Sequence, residues 1–411
     1  MSTFDGWRNR IVCAGAERTW QTLPDLPLPA TAAVLVDNGL QALAAVRTHA
    51  THGTELLVVA ASRVDAAMRD ELRAAGLAIV GWAAGEVTED PGTERAPEPG
   101  RLWLLTSGST GRPKRIGHTL GSLTTVRGEQ VPRTWLCPYS PGTYAWWQVV
   151  TLCLTQPGQD LVTVEPHELE TWPRIAAEHG VTAASGTPTF WRQTIYRDTE
   201  ALSKVALEQI TLGGEPVDQA ILDRLRDLFP AARISWIYAS SEVGASIVVH
   251  DGRAGFPSAW LDRVAPGRPT LSVSGSASGN ELIITSPFHG AGLGGAVRTG
   301  DRVEIVDDRV MITGRLDSDE INVGGSKISA GLVRDVLQEH PAVAWARVAA
   351  RRAPIVGHVV VADVVLSAGA DEIDDADLVA WCSARLPDYA VPRRIRFQAE
   401  IQAKETLKSD V

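Results

Sequence analysis

The chain has 411 residues, 44% of them apolar, enough for a large core and for two or three domains. A net charge of -10 and a pI of about 5.5 exclude nucleic acid as a main partner, because phosphate contacts need a basic face. No apolar run reaches the ~18 residues of a membrane span, and MSTFDGWRNR lacks the apolar stretch of a signal peptide, so no membrane is expected and the expected setting is cytoplasmic.

The first hundred residues alternate strand and helix signals. AVLVD (33–37) and ELLVVAA (55–61) are apolar runs. GLQALAAVRTHA and RVDAAMRDELRAAG read as helices, and LAIVG follows. Alternation of this kind predicts a parallel sheet covered by helices. EVTEDPGTERAPEPG is a polar, Pro- and Gly-rich linker. LWLLT (102–106) then resumes the pattern and ends in a Gly/Ser/Thr loop.

EPVDQAILDRLRDLFP places Val217, Ile221, Leu222, Leu225 and Leu228 on one helical face, with Pro230 as the stop. ARISWIYAS reads as a buried strand. ELIIT (281–285), VEIV (303–306) and VMIT (310–313) read as antiparallel strands, the last two joined at Asp307-Asp308. After GRLD (314–317) the character changes. The helices AGLVRDVLQEH and DADLVAWCSARL, with the strands AWARVAA and HVVVADVV, predict a compact α+β unit. The expected fold is a large α/β domain, residues 1–316, with parallel sheets covered by helices. A small mobile α+β domain, residues 317–411, follows.

The strongest chemical signal is Thr106-Ser107-Gly108-Ser109-Thr110-Gly111-Arg112-Pro113-Lys114, directly after a strand. Glycines let successive N–H groups point into one concavity, and such a nest binds phosphate. Lys114 adds a mobile charge. The spacing is not that of the P-loop, since no Ser/Thr follows the lysine for magnesium. Taken alone, such a loop also reads as a linker. Tyr238-Ala239-Ser240-Ser241-Glu242 follows at a strand end, where an aromatic can stack on a purine and a carboxylate can hold magnesium. Thr299-Gly300-Asp301 and Gly314-Arg315-Leu316-Asp317 offer an acid for ribose hydroxyls and a guanidinium for ribose or phosphate.

TSGSTGRPK, GGEPV, YASSEVG, RTGD, GRLDSDEINVGGSKIS, HPAV and LPDYAVPRRIRF occur in an order that resembles the adenylate-forming superfamily. That group contains acyl-CoA synthetases, nonribosomal-peptide adenylation domains and firefly luciferase. The resemblance covers roughly residues 100–411. It implies that Thr106 to Lys114 close on pyrophosphate, and that Gly214, Glu215 and Pro216 lie along adenine. It implies that Tyr238 stacks on the base, with Ala239, Ser240 and Ser241 beside it, and that Glu242 binds magnesium. Asp301 would hold the ribose with help from Arg315. Asp317 would be the hinge. The end EIQAKETLKSDV resembles the closing motif. Lys408 then matches the catalytic lysine, with Leu407 where Gly is usual, and Lys404 is the competing assignment. Gly325 and Lys327 would serve the acceptor step.

Three of the five lysines, Lys114, Lys327 and Lys408, fall where that family expects a basic residue; Lys204 and Lys404 are the others. The chain departs from the family in its short N-terminal part and in Ser241, Ala239 and Leu332. The expected acid pocket includes Tyr139, Trp146, Gly186, Thr187 and Gly213. It lies in a segment that also holds Trp135, Trp147, Trp172, Trp191 and Trp236, which suggests aromatic walls and a flat or short acid. Cys13, Cys137, Cys153 and Cys382 are scattered and show no CxxC. His49 and His52 in THATHG have no third ligand nearby, so no structural metal is expected.

The expected reaction is ATP-dependent activation of a small, aromatic acid as acyl-AMP with release of pyrophosphate, aided by Mg2+. The acyl group then passes to an acceptor, CoA first among the choices. A carrier-protein thiol, an amine, or an unusual acid such as nitrite are alternatives within the same chemistry. A nucleotide-binding protein without turnover and a phosphotransferase are the rivals outside it. A monomer or homodimer is expected.

Overall fold

Strands made only of apolar residues need cover on both faces, and Thr31–Val36 is buried along its whole length. In this computed structural model, residues 4–81, 87–106, 114–276, 279–316, 320–353, 357–370, 372–403 and 407–409 are described. Thr31–Val36 runs parallel to Glu55–Ala60 and Ala78–Val80, and Glu55–Ala60 runs parallel to Leu102–Thr106. The helices Gly39–His52 and Ala66–Ala74 connect these strands. The first opens on Asn38, whose side chain accepts from the Gln41 N–H at 3.1 Å, and closes at Gly53, where φ is 68°.

The expected linker is not a free tether. Val87–Glu89 pairs antiparallel with Ala78–Val80 at the sheet edge, and Arg95 reaches back to Glu55. Glu55 is fully buried, so its carboxylate requires partners. It accepts from Arg95 Nη2 at 2.5 Å and Nη1 at 2.9 Å, from the Glu98 N–H at 2.7 Å and from Trp103 Nε1 at 2.7 Å. Burial pushes its pKa up, but the hydrogen bonds from Arg95, Glu98 and Trp103 outweigh that and leave it below the usual value. A carboxyl held down in the folded state adds stability above its unfolded pKa, near 4.5, and loses it as pH falls through the folded value. Arg95→Ala is therefore expected to cost about 3 kcal/mol near neutral pH, with the deficit shrinking in acid. Urea denaturation of both proteins at pH 7 and in steps below 4.5 checks this.

The eight-stranded sheet forms the centre of the molecule. Its six inner strands, Arg233–Ser240, Gln209–Gly213, Ala183–Gly186, Arg133–Cys137, Gln159–Thr163 and Arg10–Cys13, are parallel. Antiparallel Gly244–Val249 and Ala16–Thr19 close its edges. The helices Tyr144–Thr155, Pro188–Ser203 and Gln219–Leu228 lie between these strands in sequence. In the last, Asp218 is the N-cap, so Val217 precedes the helix, and Ile221, Leu222 and Leu225 form its buried face. A five-stranded antiparallel sheet follows, with Asp307 at φ 53° in the turn between Ala296–Val306 and Arg309–Arg315.

Residues from Glu320 onward build their own sheet and core. Val343–Ala353 and Gly357–Leu366 form its long hairpin, and Ala330–Gln338 and Asp375–Ser383 cover it through Val333, Leu337, Leu378 and Cys382. The architecture is thus mixed parallel sheets with helices, plus a separate C-terminal sheet domain. Among the described residues no helix is long and apolar enough to cross a membrane.

Candidate functional site

In an open parallel sheet, ligands bind outside the carboxyl ends of the strands. Three neighbouring strands deliver the candidate residues there. Ala183–Gly186 ends at Gly186 and Thr187, Gln209–Gly213 at Gly214 and Glu215, and Arg233–Ser240 at Tyr238 to Glu242. The register places Gly186 beside Leu212 and Gly213 beside Ile237, so the three ends are adjacent.

The antiparallel sheet adds the fourth side. Tyr238 donates its hydroxyl hydrogen to Asp301 Oδ2, and Arg315 Nη1 donates to Asp301 Oδ1 at 3.0 Å and to the Thr299 carbonyl at 2.9 Å. Burial, followed by the charge of Asp301, raises the Tyr238 pKa well above that of a free phenol, so the hydroxyl stays protonated. The aromatic, the acid and the guanidinium expected around a nucleoside are therefore in direct contact.

Ser240 and Ser241 turn the chain at the strand end. Ser240 Oγ accepts from the N–H groups of Glu242 and Val243, each at 3.3 Å. The Ser241 carbonyl accepts from His118 Nε2 at 2.8 Å, and burial keeps the His118 pKa below normal, which favours a neutral ring protonated at Nε2. The Glu242 carboxylate takes no hydrogen bond or ion pair from any described residue. One half-buried carboxylate of this kind suits magnesium, which keeps most of its ligands as water and phosphate oxygen. Thr106 and Lys114 face each other at the ends of paired strands, and Lys114 is exposed. Ser107, Gly108, Ser109, Thr110, Gly111, Asp317 and Lys404 lie outside the described residues.

Lys408 enters this cleft from the far end of the chain. A β-carbon on Gly214 would sit 3.2 Å from Lys408 Cε and 3.6 Å from Nζ. At φ 84° Gly214 also occupies a backbone region that glycine adopts without strain. Lys408 keeps part of its surface in water, but desolvation by the protein packed around it lowers its pKa below the usual lysine value. Glu215 and Asp301 oppose that shift.

The Glu215 carboxylate is engaged within the protein. It accepts from the Thr189 N–H and Oγ1, both at 3.0 Å, and from the Ser409 N–H at 2.8 Å, so it joins the end of the chain to the large domain. The Thr187 hydroxyl is likewise engaged within the protein. Its Oγ1 accepts from the Phe190 N–H as a helix N-cap and donates to the Leu407 carbonyl. Gly186 is small for packing reasons, since a β-carbon there would meet Phe190 Cδ1 at 2.2 Å. At Gly213 the same atom would lie 3.1 Å from the Ile237 carbonyl oxygen.

Trp146 is not an open pocket wall. With Trp147, Trp172 and Trp191 it is fully buried in the core. Trp146 packs edge-on to Trp147, and Trp172 stacks on Phe190 with ring centres 5.4 Å apart. Tyr139 is buried with its hydroxyl 3.0 Å from Ser185 Oγ. Gly324 and Gly325 turn a hairpin with φ 61° and 93°, and Lys327 pairs with Glu320 at 2.8 Å, itself paired with Arg302. The histidines of THATHG are engaged locally, His49 Nδ1 with the Thr54 carbonyl at 2.5 Å and His52 with Asp25 at 2.9 Å. Among the described residues no group of three or more His, Cys, Asp or Glu is placed to hold a metal, and the four cysteines are free and buried.

The sequence reading missed the docking face of helix Pro188–Ser203. Arg192 Nη1 donates to the Ala344 carbonyl at 3.0 Å, Gln193 Nε2 to the Ile401 carbonyl at 2.8 Å and the Tyr196 hydroxyl to the Ala399 carbonyl at 2.9 Å. With Thr189 these polar residues recur at i, i+3, i+4 and i+7, one side of a helix. That spacing is present in TFWRQTIY, on the helix that also carries the buried Trp191.

The model of the AMP-binding enzyme family matches residues 21–276, and that of the AMP-binding enzyme C-terminal domain matches residues 333–408. An acetyl-coenzyme A synthetase of Thiobacillus denitrificans is 26% identical over 354 residues, covering 72% of this chain and 52% of that protein. The chain spans about half the length of this curated relative. The fold is shared with an anthranilate CoA ligase, AuaEII, in complex with anthranoyl-AMP. The TM-score is 0.74 at 14% identity, over 99% of this chain and 93% of that one. It is also shared with the amide bond synthetase McbA from Marinactinospora thermotolerans, with a TM-score of 0.75 at 20% identity over 99% and 96%. With both family models matched in order, and the first of them covering more than half of the chain, this chain belongs to the AMP-binding enzyme family.

Proposed function

We propose that the protein activates a small, at least partly planar carboxylic acid with ATP as the acyl-AMP, and passes the acyl group to CoA. The observation that carries the reading is Lys408 lying against Gly214, in the cleft that also holds the Tyr238–Asp301–Arg315 contact. Residues 1–316 would bind acid and ATP. Residues 317–411 would act as a lid turning about Asp317.

A carboxylate is a poor acyl donor because its leaving group would be oxide. In the first step its oxygen attacks the α-phosphorus of ATP, the bond to the β-phosphate oxygen breaks, and pyrophosphate leaves. Charge builds on the α-phosphate while an anion approaches. One well-placed cationic donor is worth about 3–4 kcal/mol there, and Lys408 is that donor. Tyr238 would stack on adenine, and Asp301 would accept from the ribose hydroxyls, with Arg315 orienting it. The loop 106–114 would close on the departing pyrophosphate. Magnesium, carried in with the nucleotide and held by Glu242, would neutralise phosphate charge. In the second step the thiol of CoA attacks the acyl carbon and AMP leaves. Lys327 and Gly325 would then come to the cleft as the small domain turns.

The preference for a planar acid does not rest on Trp146, Trp147, Trp172, Trp191 or Trp236, which are buried in the core. It is supported by the fold shared with a ligase captured with anthranoyl-AMP, and CoA by the likeness to an acetyl-coenzyme A synthetase. The test is acid-dependent exchange of pyrophosphate into ATP over benzoate-like, short aliphatic and long fatty acids, followed by CoA, an amine or a carrier protein as acceptor. AMP formation with a small aromatic acid and CoA is expected. ADP as product, or long fatty acids used equally well, overturns the reading.

A further inference from the structure

The triplet Leu407-Lys408-Ser409 is seated in an unusual way. Leu407 has φ 61°, in the left-handed region where a β-carbon crowds the following carbonyl. A leucine persists there only when its surroundings hold it. Those surroundings belong to the large domain. Leu407 is 4% exposed and joins the same apolar core as Phe190 and Trp172. With Leu169, Pro173, Phe190 and Thr194 it lines a residual cavity of about 40 Å³. Its carbonyl accepts from Thr187 Oγ1.

Ser409 is held next to it. Its N–H donates to Glu215 Oε1 at 2.8 Å, and its hydroxyl lies 3.3 Å from the same oxygen and 3.0 Å from Thr189 Oγ1. The left-handed turn at Leu407 therefore lets residues 407 and 409 both bury against the large domain, with Lys408 directed into the cleft between them.

We propose that Leu407 is a positioning residue. Its buried side chain, together with the grip of Thr187 and Glu215 on the backbone around it and of Thr189 on the Ser409 hydroxyl, forms the seat that holds Lys408 at the reacting phosphate. The inference rests on the adenylation reading for its consequence, but not for the seat itself. Release of the seat is then the event that frees the small domain for the acceptor step.

Two variants separate anchor from strain. Leu407→Ala keeps the left-handed strain and removes the anchor, whereas Leu407→Gly removes both. Amide hydrogen exchange of the peptide covering residues 407–411 reads the seat directly and needs no substrate. Leu407→Ala is expected to speed exchange at the Ser409 amide by about tenfold or more, and Leu407→Gly by less. Pyrophosphate exchange should fall alongside, while transfer from ready-made acyl-AMP to the acceptor holds at the parent rate. Parent-like amide protection in Leu407→Ala overturns the proposal, and so does equal loss of both half-reactions. A parent that protects the segment yet exchanges no pyrophosphate with any acid overturns the adenylation reading and leaves the seat standing.

Discussion

Lys408→Ala is expected to lower acid-dependent pyrophosphate exchange by about 100- to 1,000-fold. The substitution removes a charge that acts while the α-phosphate is under attack, so kcat should fall far more than the affinity for ATP. Transfer from supplied acyl-AMP should continue near the parent rate, because that step does not need the charge. The structure adds a pH signature. Lys408 is desolvated, which lowers its pKa below the usual lysine value. The exchange reaction of the parent should therefore decline on the alkaline side at a lower pH than an ordinary lysine would give, and Lys408→Arg should lose that limb. Lys404→Ala is the control and should be mild. If Lys404→Ala is the inactive variant instead, the assignment of the catalytic lysine is wrong by four residues.

Arg192→Ala should have the largest effect on stability. Arg192 and Asp218 are both buried, with Arg192 Nη2 2.7 and 2.8 Å from the two carboxylate oxygens. Asp218 also caps helix Gln219–Leu228 and accepts from Gln338 Nε2 of the small domain at 3.2 Å. Burial pushes the Asp218 pKa up, but the Arg192 charge and hydrogen bonds outweigh it and hold the acid ionised. Removing Arg192 strands that charge where the two domains meet, at a cost of about 3–5 kcal/mol. It also removes the bond to the Ala344 carbonyl. Asp218→Asn in the same chain should recover part of the loss, which a double-mutant cycle in urea measures. Additive single effects would show that the pair is not coupled. Arg192→Lys should not restore the parent, since Arg192 reaches Asp218 with one nitrogen and the Ala344 carbonyl with another, and a single ammonium nitrogen cannot span both.

Much of the fold was legible because its cause is local. The apolar runs at 33–37, 55–61 and 102–106 read as strands, and the strands Thr31–Val36, Glu55–Ala60 and Leu102–Thr106 coincide with them. The turn at Asp307-Asp308 follows from residue types that tolerate positive φ. The linker was misread in part. Proline and glycine mark irregular backbone, but nothing local says that Arg95 must answer a charge buried forty residues earlier at Glu55.

The candidate site divides in the same manner. The motif residues Tyr238, Asp301, Arg315 and Lys408 could be named from the sequence, because their segments resemble those of the adenylate-forming superfamily. The contact of Tyr238 and Arg315 with Asp301, the placing of Lys408 against Gly214, and the burial of the tryptophans that looked like pocket walls depend on which strand ends and helix faces meet. Trp146 and Trp191 have the same composition signal whether they face a ligand or a core. Glu215 and Leu407 show the limit most clearly. Read along the chain, they are 192 residues apart and serve different motifs; in the fold, the first holds the residue two places past the second. The sequence by itself determined the strand and helix units, the family pattern and the chemistry of the charged residues, all properties of short segments. Only the tertiary structure decided that one face of helix Pro188–Ser203 receives the end of the chain, because that depends on hydrogen bonds and buried contacts between segments some two hundred residues apart.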